Sequence, residues 1–169
     1  MSIDGLDARL IRLLTEEPRI GVLEASRRLG VARGTAQARL DRLQRTGVII
    51  GFGPEVDPAA LGFTVMAFAT VQIRQGRGPI VAQHLAGIEE VLEVHTITGD
   101  ADMLARIVAR SHNDLQEVID RLVAHPDIVR TSTNIALTAH VRYRTDGLLR
   151  RATAAERAGA GGLNARIEC

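Results

Sequence analysis

Apolar residues recur at helical spacing through the first third of the chain and at strand spacing through the middle. Leu6, Leu10, Leu13 and Leu14 share one helical face, with Arg9, Arg12 and Glu16 opposite, and Pro18 stops that helix. A short second helix fits Val22 to Leu29 and is closed by Gly30, a residue suited to the left-handed position after a helix. The third runs from about Arg33 to Thr46, has an apolar stripe of Ala36, Leu40 and Leu43, and ends on Gly47. From Val48 to Phe52 the pattern turns to β, and Asp57-Pro58-Ala59-Ala60-Leu61-Gly62 reads as a turn or short linker.

The middle of the chain alternates between the two periods. Strands are expected at Phe63 to Ile73, Val91 to Thr98, Met103 to Ala109 and Ile128 to Leu137. Helices are expected at Pro79 to Leu85 and at Ser111 to Ala124, the latter capped by Ser111. Strand, helix, strand, strand, helix, strand is the ferredoxin-like βαββαβ plan. The whole is therefore an α+β chain: an N-terminal winged helix-turn-helix plus a C-terminal ferredoxin-like domain. The helix-turn-helix occupies 1–50, the wing strand and linker 51–62, and the ferredoxin-like domain 63–140. Residues 141–169 are an Ala-, Gly- and Arg-rich extension with little apolar periodicity, expected to be flexible.

Composition sharpens this picture. Among 169 residues the aromatics are Phe52, Phe63, Phe68 and Tyr143, so any core must be aliphatic. The formal charge of +1 conceals three regions: +3 over residues 1–50, −5 over 51–139 and +3 beyond. All 21 basic residues are arginine. No apolar run is long enough for a membrane span, and the acidic N-terminus is unlike a secretory signal, so the chain is expected to stay in the cytoplasm. The one cysteine, Cys169, excludes an intrachain disulfide, and the five histidines are too far apart to form a local ligand pair, so no metal or cofactor is expected. No P-loop, Gly-x-Ser-x-Gly or zinc motif occurs, so no catalytic residue is expected.

The third helix carries the candidate chemistry. Its apolar face can dock on the first two helices, while Arg39, Arg42 and Arg45 offer planar guanidinium groups suited to phosphates. Arg33, Thr35, Gln37 and Ala38 lie near its start, where Arg matches guanine, Gln matches adenine, and Ala or the Thr methyl can touch thymine. A charged helix face is usually just solvated. Three helices in order followed by a wing favour duplex DNA instead. Aromatic poverty also argues against a single-strand binder that stacks bases.

The segments Leu6-Asp7-Ala8-Arg9-Leu10-Ile11-Arg12-Leu13-Leu14, Pro18-Arg19-Ile20, Arg39-Leu40-Asp41-Arg42-Leu43, Gly47-Val48-Ile49 and Gly51-Phe52 resemble the DNA-binding half of the Lrp/AsnC (feast/famine) transcription regulators. Asp57-Pro58-Ala59-Ala60-Leu61-Gly62 resembles the linker of that family. Val94-His95, Thr98-Gly99-Asp100-Ala101-Asp102 and Val129-Arg130-Thr131-Ser132-Thr133 resemble its sensor domain. The likeness spans about residues 3–140. It differs at three places: Ala32 stands at the usual Ser cap, Gln44 at the usual Glu, and Ala101 at the usual aromatic.

The resemblance implies a homodimer assembling further, often to an octamer, with a small effector, commonly an amino acid, bound between dimers. It places the effector at Gly99, Asp100, Ala101, Asp102, Thr131 and Thr133. A glycine turn can offer backbone N–H groups to a carboxylate, while Asp and Thr can meet an ammonium. The same segment is also a sound hairpin turn. An alternative is an enzyme on the same plan, similar to tetrapyrrole decarboxylases that use His and Arg; His95, His112, Arg106 and Arg110 form no recognisable set for it.

Overall fold

The computed structural model describes residues 3–163. The chain divides into two compact units. One comprises the chain up to Pro54 together with the segment that begins at Arg142; the other is Glu55–Val141.

The first unit is helical. α1 (Gly5–Glu16), α2 (Val22–Leu29) and α3 (Arg33–Arg45) occupy the expected positions. Leu10, Ala25 and Leu43 are its buried centre, one from each helix, with Leu13, Leu14 and Leu40 packed around them. Each fully buried leucine contributes about 1.5–3 kcal/mol. α1 starts with a capping box: Asp4 Oδ1 accepts from the Leu6 and Asp7 amides at 2.9 Å, and the Asp7 carboxylate accepts from the Asp4 amide at 3.1 Å. Gly30, at φ +70°, ends α2 in the left-handed conformation that a side chain would resist. The chain therefore turns sharply into α3.

Two expectations are corrected here. Residues 47–57 form no strand, so the wing strand is not present in this chain. The Val48 and Ile49 amides both donate to the Leu43 carbonyl, which spends them on the end of α3, and Pro54 has no amide to offer a ladder. Ile50 is left 94% exposed. The expected flexible extension is instead the helix α6 (Asp146–Leu163), with residues 164–169 outside the described chain. Ala, Leu and Arg are strong helix formers, and Asp146 in the first turn suits the positive end of the helix. Asp146 also bonds Arg12 of α1 and pairs with Arg150 one turn on.

The second unit is the ferredoxin-like fold. It begins with a 3-10 turn (Pro58–Leu61) capped by Asp57. β1 (Val65–Ile73), α4 (Gly78–Ala86), β2 (Val91–Thr96), β3 (Met103–Ala109), α5 (His112–Val123) and β4 (Ile128–Ala136) follow in the expected order. The sheet is antiparallel with order β2-β3-β1-β4. Its inner face brings Ala67, Ala69, Val71 and Ala105, Ile107, Ala109 against Val81 and Leu85 of α4 and Leu115, Val118 and Leu122 of α5. Small alanines on the two central strands let both helices sit close to the sheet. The core is aliphatic, as the scarcity of aromatics requires.

Candidate functional site

α3 is amphipathic in three directions rather than two. Ala36 and Leu43 point into the core. Arg33, Thr35, Gln37, Ala38 and Arg45 are exposed, where the sequence places a reading face. Gln37 donates to Asp41 at 2.7 Å, one turn along the same surface. Asp41 escaped the sequence reading although it lies on that face; a carboxylate there can accept from the cytosine amino group.

Arg39 and Arg42 behave differently from the expectation. Both turn toward α1 and are half-buried, with side chains 27% and 35% exposed. Arg39 bonds both Asp4 and Asp7, and Arg42 bonds the other oxygen of Asp7. Asp7 is completely buried. Its charge is tolerated because two guanidinium groups and the Asp4 amide saturate it. Burial pushes the Asp4 carboxyl up, but the Arg39 bond and the Asp7 and Leu6 amides outweigh this and hold it below the usual range. Arg39 is raised further by the Asp4 and Asp7 hydrogen bonds, against burial.

These two arginines therefore fix the angle of α3 on α1, and their remaining N–H groups edge a shallow groove with Thr35, Ala38 and Asp4. The signal was present in the sequence: Asp4 and Asp7 are three residues apart, as are Arg39 and Arg42. Such spacing gives one carboxylate pair and one guanidinium pair on facing helical surfaces. Ala32 caps α3 with no side-chain hydrogen bond, which leaves the first amides of the helix free of an internal side-chain acceptor.

The second candidate site is the loop between β2 and β3. Gly99 adopts φ +115°, outside what an L side chain accepts comfortably, so the turn needs glycine here. The loop is held to β1 from three sides. The Asp102 amide donates to the Val71 carbonyl at 3.0 Å, the Ile73 amide donates to Asp102 Oδ2 at 2.8 Å, and Gln72 donates to the Asp100 carbonyl at 2.6 Å. Asp102 is thus engaged in the fold through one oxygen, while Asp100 and Gly99 are exposed. Gln72 was missed by the sequence reading, since nothing local ties it to residue 100.

Thr131 pairs with Val71 and Thr133 with Ala69, so both share the inner sheet face, on the edge strand β4. Met103, adjacent to Asp102, lies opposite Val71 on the other side. Neighbouring strands are about 4.8 Å apart, which puts the loop and Thr131 roughly 10 Å from each other at the same end of the sheet. Thr133 is one pleat farther in. The groups of the enzyme alternative are placed elsewhere. Arg106 and His95 both lie against Glu93, at 3.2 and 3.6 Å, and Arg110 sits over the Phe63 ring.

Comparison with known proteins connects both sites. Residues 3–44 match the model of the AsnC-type helix-turn-helix domain, and residues 66–146 match that of the Lrp/AsnC ligand binding domain. The HTH-type transcriptional regulator FL11 of Pyrococcus abyssi is 33% identical over 140 residues, 83% of this chain and 93% of that protein. The Escherichia coli AsnC structure superposes with a TM-score of 0.80 at 26% identity, over 86% of this chain and 99% of that one. A feast or famine regulatory protein from M. tuberculosis, complexed with L-methionine, gives 0.75 at 25% identity over 85% and 97%. These relatives lend no support to the enzyme alternative.

Proposed function

Because the chain belongs to the Lrp/AsnC family of helix-turn-helix transcriptional regulators, we propose that α3 reads duplex DNA and that the β2–β3 loop receives an amino acid that alters DNA affinity or assembly. The observation that carries the DNA half is the exposed face of α3. Arg33, Thr35, Gln37 and Ala38 stand free of the core at the start of the helix, and Arg45 at its end. On this reading the first four meet base edges and Arg45 meets phosphate. Arg39 and Arg42 contribute at the rim of the groove and set the helix angle.

For the effector, Asp100 is the free carboxylate for an ammonium group, and Gly99 leaves backbone N–H groups open to a carboxylate. Asp102 serves chiefly to brace the loop through Ile73. Thr131 and Thr133 supply hydroxyls on the same sheet end. Ala101, in place of the usual aromatic, leaves room for a larger side chain on the ligand. Support for the amino-acid class comes from the M. tuberculosis protein complexed with L-methionine.

Assembly follows from the same reading. The second unit exposes Phe68, Leu92, Val129 and Ile135, and the linker exposes Phe52 and Val56. Apolar surface of this kind suits burial against a second copy. A homodimer gives two α3 helices the two-fold symmetry that paired half-sites require, and an octamer of four such dimers is the expected larger form. Among the described residues no helix is long and apolar enough to cross a membrane. A regulator of this kind works in the cytoplasm, beside the chromosome.

Selection of bound fragments from the source genome, with and without each amino acid, tests the reading. It predicts a palindromic motif enriched by the wild-type chain and altered enrichment with at least one amino acid. Fragments recovered without any shared motif would contradict it.

A further inference from the structure

We propose that α6 and α1 form a second anchor for DNA, a basic groove that grips phosphates beside those met by α3. The proposal rests on the DNA-binding reading above. α6 begins where the matched ligand binding domain ends, at residue 146, so it is an addition to the part of the chain shared with that model.

The groove has a volume of about 500 Å³ and is lined by Arg9, Arg12 and Arg150, with Gly5, Ala8 and Thr153 as its floor and wall. Gly5 and Ala8 are small, which allows α6 to lie close to α1 without displacing the arginines. Among the described side chains one acid answers the three guanidinium groups. Asp146 accepts from Arg12 Nε at 3.4 Å and pairs with Arg150, leaving the rest of both forks free, and Arg9 has no acid partner among the described residues. Among the described side chains, three converging cations against one carboxylate make a positive groove, and a concave surface of one sign concentrates counter-ions. Arg9 and Arg12 are a helical turn apart, so the charge is spread along the groove as a string of phosphates would need.

Placement on α1 selects duplex DNA among polyanions. Asp4, at the first residue before α1, edges the α3 groove, while Gly5 edges the α6 groove. The two grooves therefore border the same first turn, the α3 groove with its arginines paired to Asp4 and Asp7 and the α6 groove with the cationic excess. A helix with its side chains is about 10 Å across. A duplex carries one charge per about 1.7 Å of its axis. On this proposal a duplex seated on α3 passes the first turn of α1 and presents several of its phosphates to Arg9 and Arg150.

Binding of the full chain to a random duplex, followed between about 50 and 200 mM salt, tests this. Each neutralised phosphate adds about 0.9 to the slope of log affinity against log salt. Arg9→Gln and Arg150→Gln are expected to flatten the slope by about 0.9 each, and the pair by roughly 1.8. Arg121→Gln, on α5 of the other unit, removes the same charge and is expected to leave the slope unchanged. An unchanged slope in Arg9→Gln, which breaks no ion pair among the described residues, would overturn the proposal, as would an equal loss in Arg121→Gln. Failure of the wild-type chain to bind any duplex would instead overturn the DNA-binding reading, and this anchor with it.

Discussion

Replacing Asp7 with alanine removes the buried carboxylate on which α1 and α3 both depend. Three donors converge on its carboxylate: the Asp4 amide, Arg39 and Arg42. Removing one partner of a buried ion pair typically costs about 3–5 kcal/mol. Here the orphaned arginines are 27% and 35% exposed and can turn into water, which trims that figure. Loss of the reciprocal bond in the capping box adds about 0.5–1 kcal/mol. The expected destabilisation of the helical unit is about 3 kcal/mol. Amide hydrogen exchange reads it locally: the amides of α3 should lose protection by about a hundredfold, since each 1.36 kcal/mol is about tenfold. The amides of the sheet unit should be unaffected. A loss of less than about threefold in α3 would mean that the Asp7 cluster contributes little and that the angle of α3 is set by the apolar contacts alone. The consequence for mutagenesis is direct. Arg39→Ala also leaves Asp7 short of a partner, so weaker DNA binding by that variant reflects a moved helix as well as a lost contact.

Further outcomes follow from single features. Ala32→Ser supplies the missing side-chain cap of α3 and should stabilise the helical unit by about 0.5–1 kcal/mol in urea unfolding; no gain would show that the first amides of α3 are already satisfied. Gly99→Ala meets no atom within 4 Å but forces a side chain into φ +115°, so it should cost about 1–3 kcal/mol in the sheet unit. An Ala at no cost would show that the turn does not need its observed conformation. Asp100→Ala should abolish effector binding by calorimetry with stability within about 0.5 kcal/mol, whereas Asp102→Ala should lose about 1–2 kcal/mol through the orphaned Ile73 amide. The Asp4 and Glu90 carboxyls both ionise below their usual values of 3.8 and 4.5. For Glu90 the Arg121 hydrogen bond is the main cause, opposed by burial. A lowered folded-state value means the stability is present above the unfolded value and is lost as pH falls through the folded one. Both units should therefore hold through neutral pH and weaken below about pH 4, and equal stability at pH 3 and 7 would contradict this.

Periodicity located every helix and strand of the two matched domains because each packs one face against its own unit, fully buried in most and partly buried in the edge strands β2 and β4. Ser111 as the cap of α5 and Met103–Ala109 as β3 were legible from the residues themselves. What was not legible was whatever depended on partners far away in sequence. Arg39 and Arg42 look like phosphate ligands until Asp4 and Asp7 are brought beside them from more than thirty positions away. Asp102 looks like a ligand group until the Ile73 amide claims one of its oxygens. The residues after Gly47 have β-forming side chains, but the Val48 and Ile49 amides are spent on α3. α6 was missed because alanine and glycine were read together as flexibility. The alanines are strong helix formers, and Arg12 supplies the tertiary contact that holds the first turn in place. The charge split has a counterpart in the fold as well, since the positive head and the described part of the positive tail belong to one unit.

The central claim is that this chain discriminates among duplexes through α3 and that an amino acid modulates the discrimination. Its most direct test is the affinity of the full chain for a genome-selected duplex against a scrambled one at fixed salt, repeated with the amino acid that altered enrichment. The account predicts tighter binding to the selected site by about 10³-fold or more. It also predicts that the ratio collapses in the Arg33→Ala, Gln37→Ala double variant and shifts with the amino acid. Equal affinity for the two duplexes would contradict it.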